Sequence, residues 1–229
     1  GVVSGGGRWR DRGPTHPYVG TGTIGSGSRR VAAVPYPPPP EIVLPHPWVL
    51  GEYRLRPPEP RDVPALTEAL QSVEVQRFTR VPSPYDVHDA EQYVRSARDG
   101  LERGDAIRLL VTDPPGEQLY GACGLEIDWR DGVAELGYWL HANARGRGIA
   151  TRVGSELCRF GFGLGLGRIH LQAAVNNPGS VEVARRIGFV QEGTLRLAAI
   201  DGPAGNVAAP RADMHVLGLL PGELLPVAP

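Results

Sequence analysis

The segment from residue 133 to residue 164 constrains this chain more than any other. An alternating run, Val133–Leu140, is followed by His141, Ala142, Asn143 and Ala144, then by Arg145, Gly146, Arg147 and Gly148. A helical pattern starts at once, with Ile149, Val153, Leu157, Phe160 and Leu164 recurring at steps of four, four, three and four. Those steps lay five apolar side chains along one helical face. A further strand pattern at Arg168–Val175 completes a strand–helix–strand unit, and parallel strands need such a crossover.

The flanking segments set the rest of the fold. Alternation at Tyr53–Arg56 predicts a short strand. Asp62 is expected to cap a helix holding Pro64, Leu66 and Leu70, with proline tolerated in the first turn. A second helix is expected from Asp86 to Arg98, with Gly100 and Gly104 marking its end. Strands follow at Ile107–Thr112 and Leu119–Trp129, and the turns Pro114-Pro115-Gly116 and Arg130-Asp131-Gly132 make hairpins with their neighbours. A short helix at Ser180–Ile187 is stopped by Gly188, with Phe189 folding back on it. Strands near Phe189–Arg196 and Arg211–Leu219 close the unit. The expected fold class is mixed α/β, with a mostly antiparallel sheet of six to seven strands and about four flanking helices.

Composition divides the chain near residue 48. Residues 1–47 hold nine glycines, nine prolines and no periodic apolar segment, so they are read as a disordered or polyproline-like arm. Residues 48–221 form the expected domain and 222–229 a tail. A net charge of −1 excludes a bulk field for nucleic acid or anionic membrane, so any anion site must be local. No apolar run approaches the ~20 residues that span a bilayer, and the start lacks the layout of a secretory signal. The expected compartment is the cytoplasm, and a first residue Gly1 rather than Met leaves a fragment or a processed product open as a reading. Cys123 and Cys158 lie far apart and read as small buried hydrophobes rather than a disulfide or zinc pair.

The turn at 145–151 suits a diphosphate. Unpaired N–H groups at a helix N-terminus carry partial positive charge, Gly146 and Gly148 permit close approach, and Arg145 and Arg147 add charge. An ordinary basic turn before a helix fits this segment equally well. A P-loop is excluded because Thr151 follows Ala150 with no Lys before it, and the third glycine of a dinucleotide fingerprint is missing.

Five ordered pieces over residues 135–195 resemble the GNAT superfamily of N-acetyltransferases, in its RimJ/RimL-like branch of ribosomal-protein Nα-acetyltransferases. Arg145, Gly148 and Ala150 match the superfamily's coenzyme A loop, and Glu135-Leu136-Gly137-Tyr138-Trp139-Leu140 matches the branch's preceding strand. Asn177-Pro178-Gly179-Ser180, then Ala184-Arg185-Arg186-Ile187-Gly188-Phe189, then Glu192-Gly193 match the downstream pieces. The resemblance implies a GNAT-like fold, acetyl-CoA as cofactor, and transfer of its acyl group to a primary amine. The acceptor would be a protein N-terminus or a small molecule such as an antibiotic or polyamine.

Position by position, the resemblance places the diphosphate on backbone N–H groups of Arg145, Gly146, Arg147, Gly148, Ile149, Ala150 and Thr151. The end of the strand at Leu140 would pair with the pantetheine arm, and Asn177 would hydrogen-bond the cofactor. Ser180 would protonate the departing thiolate, or serve as a helix cap. Glu135 stands where such enzymes often place a base; it could equally organise the sheet. Some relatives carry a carboxylate where this chain has Ala199, with Asp201 two residues later, which puts a ribosomal-protein acceptor in doubt. His141, which follows the strand directly, reads as a surface loop residue rather than a base, His88 and His170 as structural, and Tyr138 and Trp139 as core and wall. No side chains have metal-ligand spacing. The first two helices and the 195–211 loop would line the acceptor cleft. Three further readings stay open: a coenzyme-binding sensor without catalysis, a homodimer, and a docking role for the proline-rich arm.

Overall fold

Each helix begins and ends on a local signal. A computed structural model describes residues 39–79, 81–206 and 208–226. Strands β1 (Trp48–Leu50) and β2 (Tyr53–Arg56) lead through a 3-10 turn to helices α1 (Val63–Ala69), α2 (Val73–Phe78) and α3 (Val87–Arg103). The Asp86 carboxylate accepts from Asp89 N–H to start α3, and Gly104 ends it at φ +74°. That helix outruns the expected Arg98 because Gly100 sits inside it, where a Cβ would stand 2.8 Å from Ala106 Cβ. The glycine marks close packing, not a terminus.

Strands β3 (Ala106–Thr112), β4 (Leu119–Asp128) and β5 (Val133–Leu140) form a meander. Helix α4 (Ile149–Gly163) crosses to β6 (Arg168–Ala174), and α5 (Pro178–Ile187) leads to β7 (Val190–Ile200) and β8 (Arg211–Leu219). Among the described residues the strands form one sheet in the order β1-β2-β3-β4-β5-β6-β8-β7. Among the described strands only β5 and β6 pair in parallel. The expected mixed α/β class with a mostly antiparallel sheet is what the structure has. The eighth strand, β1, and the fifth helix, α2, were not foreseen; at three and six residues they are too short to show a period.

The two faces of the sheet bury separate cores. Leu125, Leu136, Ile149, Val153, Leu157 and Ile169 belong to the larger one, beneath α4 and α5. Leu66, Leu70, Val94, Leu110 and Trp139 belong to the smaller one, beneath α1 and α3. Asp62 does not cap α1 with its side chain. It is turned instead onto Arg56 through two contacts of 2.7 Å and accepts from Glu59 N–H, a stronger pairing for a buried carboxylate than a helix end offers. Packing begins upstream of the composition break, for Ile42 and Leu44 lie against the larger core; downstream, Leu224 does too. Residues 1–38 of the proposed arm lie outside the described residues. No described helix is long and apolar enough to cross a membrane.

Candidate functional site

The turn after β5 owes its shape to two glycines. Gly146 and Gly148 lie at φ +73° and +74°, where other residues are strained by ~1–2 kcal/mol. A Cβ at either would meet nothing within 4 Å, so the space beside them is open. Gly148 is the N-cap of α4, and no side chain caps that end. The first intrahelical bond there runs from Arg152 N–H to Gly148 O at 3.0 Å. The N–H groups of Ile149, Ala150 and Thr151 therefore have no acceptor within the helix, and with the helix dipole they form an end that favours negative charge.

The two arginines, alike in sequence, do different things. Arg145 donates through Nε to Leu140 O at 3.1 Å, and its Nη1 is paired with Glu74 on α2. Hydrogen bonding from Arg145 holds the Glu74 carboxyl below its ordinary range. Arg145 N–H donates to Ala142 O at 3.4 Å. Arg145 thus fastens the turn to β5 and α2. Arg147 lies instead over Tyr53 and Tyr120.

The sheet parts on the side of β5 that leads up to the turn. Strands β5 and β6 pair only at Val133↔Arg168, Ala134↔Ile169 and Glu135↔His170. Beyond that β6 stays with β8 as far as Ala174↔Met214, and the Leu136–Leu140 edge of β5 parts from it. Such a parted edge can take an extended ligand as an added strand. Asn177 and Ser180 stand at the start of α5, which follows β6. Asn177 is the N-cap, its carbonyl oxygen accepting from Ser180 N–H at 3.3 Å. The capping role considered for Ser180 therefore belongs to Asn177. Ser180 is fully buried, and its carbonyl accepts from Tyr138 O–H at 3.4 Å.

Glu135 stands where the strands part and lines a cavity of about 120 Å³ with Tyr85, Tyr93, Trp139 and Glu126. Glu126 is the register partner of Glu135, so both carboxylates share one face. Arg108 holds Glu126 at 2.8 Å and anchors to Ser96 O on α3 at 2.8 Å. Burial raises the Glu126 carboxyl above its ordinary range, and Arg108 opposes that rise. Sequence reasoning passed over Glu126, although the hairpin turn at 130–132 already sets the two acids opposite each other.

A larger cleft of about 690 Å³ adjoins this cavity, sharing Thr79 and Pro82 with it. Its walls come from the end of α2, the 198–205 segment and β8, among them Phe78, Ala199, Ile200, Gly205 and Met214. Arg77 spans the cleft to Asp201 with contacts of 2.5 and 2.8 Å, and Asn176 donates to the same carboxylate at 2.8 Å. Arg77 holds the Asp201 carboxyl below its ordinary range. Arg77 and Glu74 were missed because α2 was missed, and Asn176 because its partner Asp201 lies far along the chain from the turn after β6 that holds it. His141 contacts Asn143 of its own turn at 3.0 Å, and His88 is exposed on α3. His170 is half-buried on β6, where burial and then Arg168 lower its pKa.

The family model described as Acetyltransferase (GNAT) domain matches residues 53–190. The uncharacterised N-acetyltransferase p20 of Bacillus licheniformis is 30% identical over 144 residues, covering 62% of this chain and 81% of that protein. The ribosomal-protein-serine acetyltransferase of Escherichia coli (strain K12) is 39% identical over 67 residues, covering 29% of this chain and 37% of that protein. Among solved structures, Mycobacterium smegmatis RimJ in complex with CoA-disulfide has the same fold, with a TM-score of 0.65 and 20% identity over 77% of this chain and 85% of that chain.

Proposed function

Because this chain belongs to the GNAT family of acetyltransferases, we propose that it moves the acetyl group of acetyl-CoA to the α-amine of a peptide or protein N-terminus. One observation carries the reading: the uncapped start of α4 opens onto the parted β5 edge, which ends at Glu135. The open space beside Gly146 and Gly148 fits a diphosphate, and the free edge fits an amide-bearing arm. Bound acetyl-CoA supplies an activated thioester.

The chain's residues supply the rest. Backbone N–H groups from Gly146 to Thr151 hold the diphosphate, and Asn177 braces the start of α5 beside the arm. Glu135 takes the proton that the amine loses as the C–N bond forms. Ser180 delivers a proton to the sulfur as the C–S bond breaks, and the α5 N-terminus favours the negative charge that builds there. The acceptor enters through the cleft between α2 and the 198–205 segment. Among the described residues its one lining carboxylate, Asp201, is already paired with Arg77, and Arg211 is a second lining cation. Such a wall suits a peptide better than a polyamine, which wants several unpaired carboxylates.

Purified protein should release coenzyme A from acetyl-CoA with a panel of serine- and alanine-initiated peptides, and Glu135→Gln should lower kcat by ~10²–10⁴-fold without weakening coenzyme binding. Tight coenzyme binding with no release for any peptide, spermidine or aminoglycoside would favour a sensor without catalysis.

A further inference from the structure

The walls of the cavity beside Glu135 exceed what a proton transfer needs. Leu70 at the end of α1, Val81 between α2 and α3, and Tyr85 and Tyr93 line it from the helical side. Ala122 and Trp139, opposite each other in the β4–β5 register, line it from the sheet. Leu70, Tyr85 and Ala122 are at most 3% exposed, so these walls are held by the core and do not wait for a ligand to form. The charges on the walls are already balanced. Glu126 Oε1 and Oε2 lie 2.8 and 3.0 Å from Arg108 Nη2, and the Asp89 carboxylate accepts from Asp86 N–H at 3.0 Å. The volume, about 120 Å³, is somewhat below the ~150 Å³ of an apolar cavity that takes benzene, which leaves room for about four or five non-hydrogen atoms. The cavity is continuous with the larger cleft, for Thr79 and Pro82 line both.

We infer that this cavity receives the side chain of the acceptor's first residue, and that the acceptors are peptides or proteins beginning with leucine, isoleucine or methionine. The inference rests on the reading that the acceptor is a peptide N-terminus, and it adds which kind. An α-amine and the first side chain share one Cα, so an amine at Glu135 brings that side chain to the cavity which Glu135 lines. The rest of the peptide leaves through the larger cleft. Four apolar atoms taken from water onto these walls favour binding, whereas alanine or serine leaves most of the space unfilled. An aspartate or lysine side chain would lose its hydration and meet charges that already have counterparts. An indole ring exceeds the volume.

Acetylation kinetics on one peptide series, with acetyl-CoA saturating and the first residue alone varied, test this in the wild-type protein. The ratio kcat/KM should be about 10- to 100-fold higher for leucine, isoleucine and methionine than for alanine, serine, aspartate or lysine, and tryptophan should fall back toward alanine. Ala122→Leu adds three carbons to the wall. It should bring the leucine peptide down to the alanine level while the alanine peptide and coenzyme A affinity stay as in wild type. Val81→Ala truncates a half-buried side chain and should instead raise kcat/KM for a phenylalanine-initiated peptide. Should Ala122→Leu not fold, the wild-type series and Val81→Ala still decide the matter. Alanine or serine turned over as well as leucine overturns the inference and leaves the acyltransferase reading intact. So does an Ala122→Leu variant with a wild-type Tm that slows both peptides alike. No release of coenzyme A with any peptide overturns both.

Discussion

Replacing Gly148 with glutamate separates the ligand role of the turn from its backbone strain. Two costs arise. The first is conformational: a side chain at φ +74° costs ~1–2 kcal/mol, which lowers Tm by roughly 2–8 °C in a domain of this size. The second is electrostatic and appears only with ligand. At ~6 Å and an effective dielectric near 20, one added carboxylate repels each phosphate charge by ~3 kcal/mol. Screening and side-chain rotation reduce this, and about 3 kcal/mol overall predicts at least a 100-fold loss of coenzyme A affinity. Gly132 supplies the matched control. It lies at φ +65°, a Cβ there also meets nothing within 4 Å, and it sits in the turn before β5 rather than after it. The strand between them puts the two turns roughly 25 Å apart. Gly132→Glu should therefore lose the same stability and keep wild-type affinity. Calorimetric titration of coenzyme A into all three proteins, with thermal melts alongside, gives both numbers. Equal affinity in the two variants, whether both intact or both lost, would refute the reasoning.

Other outcomes follow from the same structure. Asp62→Ala leaves the buried Arg56 guanidinium without the carboxylate 2.7 Å away, and should cost ~3–5 kcal/mol; a loss below ~1 kcal/mol in denaturant unfolding would mean that Arg56 reaches water instead. The Asp201 carboxyl is lowered in the folded state, so its pairing stabilises the fold above the ordinary aspartate range and fades as pH falls through the lowered value. The difference in Tm between wild type and Asp201→Asn should thus be full at pH 7 and shrink as the pH is taken below the ordinary aspartate range, whereas a constant difference would contradict the assignment. Burial pushes the Cys123 thiol up to about 12 and raises that of Cys158 as well. Neither should react with an aromatic disulfide reagent in the native protein at pH 8, both should react in guanidinium, and a fast native reaction would count against this packing.

How much of this was legible in the sequence depended on element length. The strand–turn–helix at 133–164 showed both periods over enough residues to fix the crossover, and the glycines at 146 and 148 announced a turn that other residues would strain. The pairing of Glu126 with Glu135 could have been read from the hairpin turn between them. Helix α2 could not: Val73–Phe78 is under two turns, and its order depends on Arg145 and Asp201, far away in the chain. The same distance hid the difference between Arg145 and Arg147. Their partners lie on α2, β2 and β4, and nothing local distinguishes one guanidinium from the other. Asp62 looked like a cap because its position is right for one, and only the buried Arg56 reveals why its carboxylate turns the other way.

The central claim is that main-chain amides at the start of α4 grip a diphosphate and so direct a thioester along the β5 edge toward Glu135. A crystal structure of the protein with coenzyme A bound tests it most directly. The account predicts diphosphate oxygens within about 3.2 Å of N–H groups between Gly146 and Thr151, and the thiol end lying between β5 and β6. A diphosphate bound on any other element, or a pantetheine arm that leaves the β5 edge bare, would contradict it.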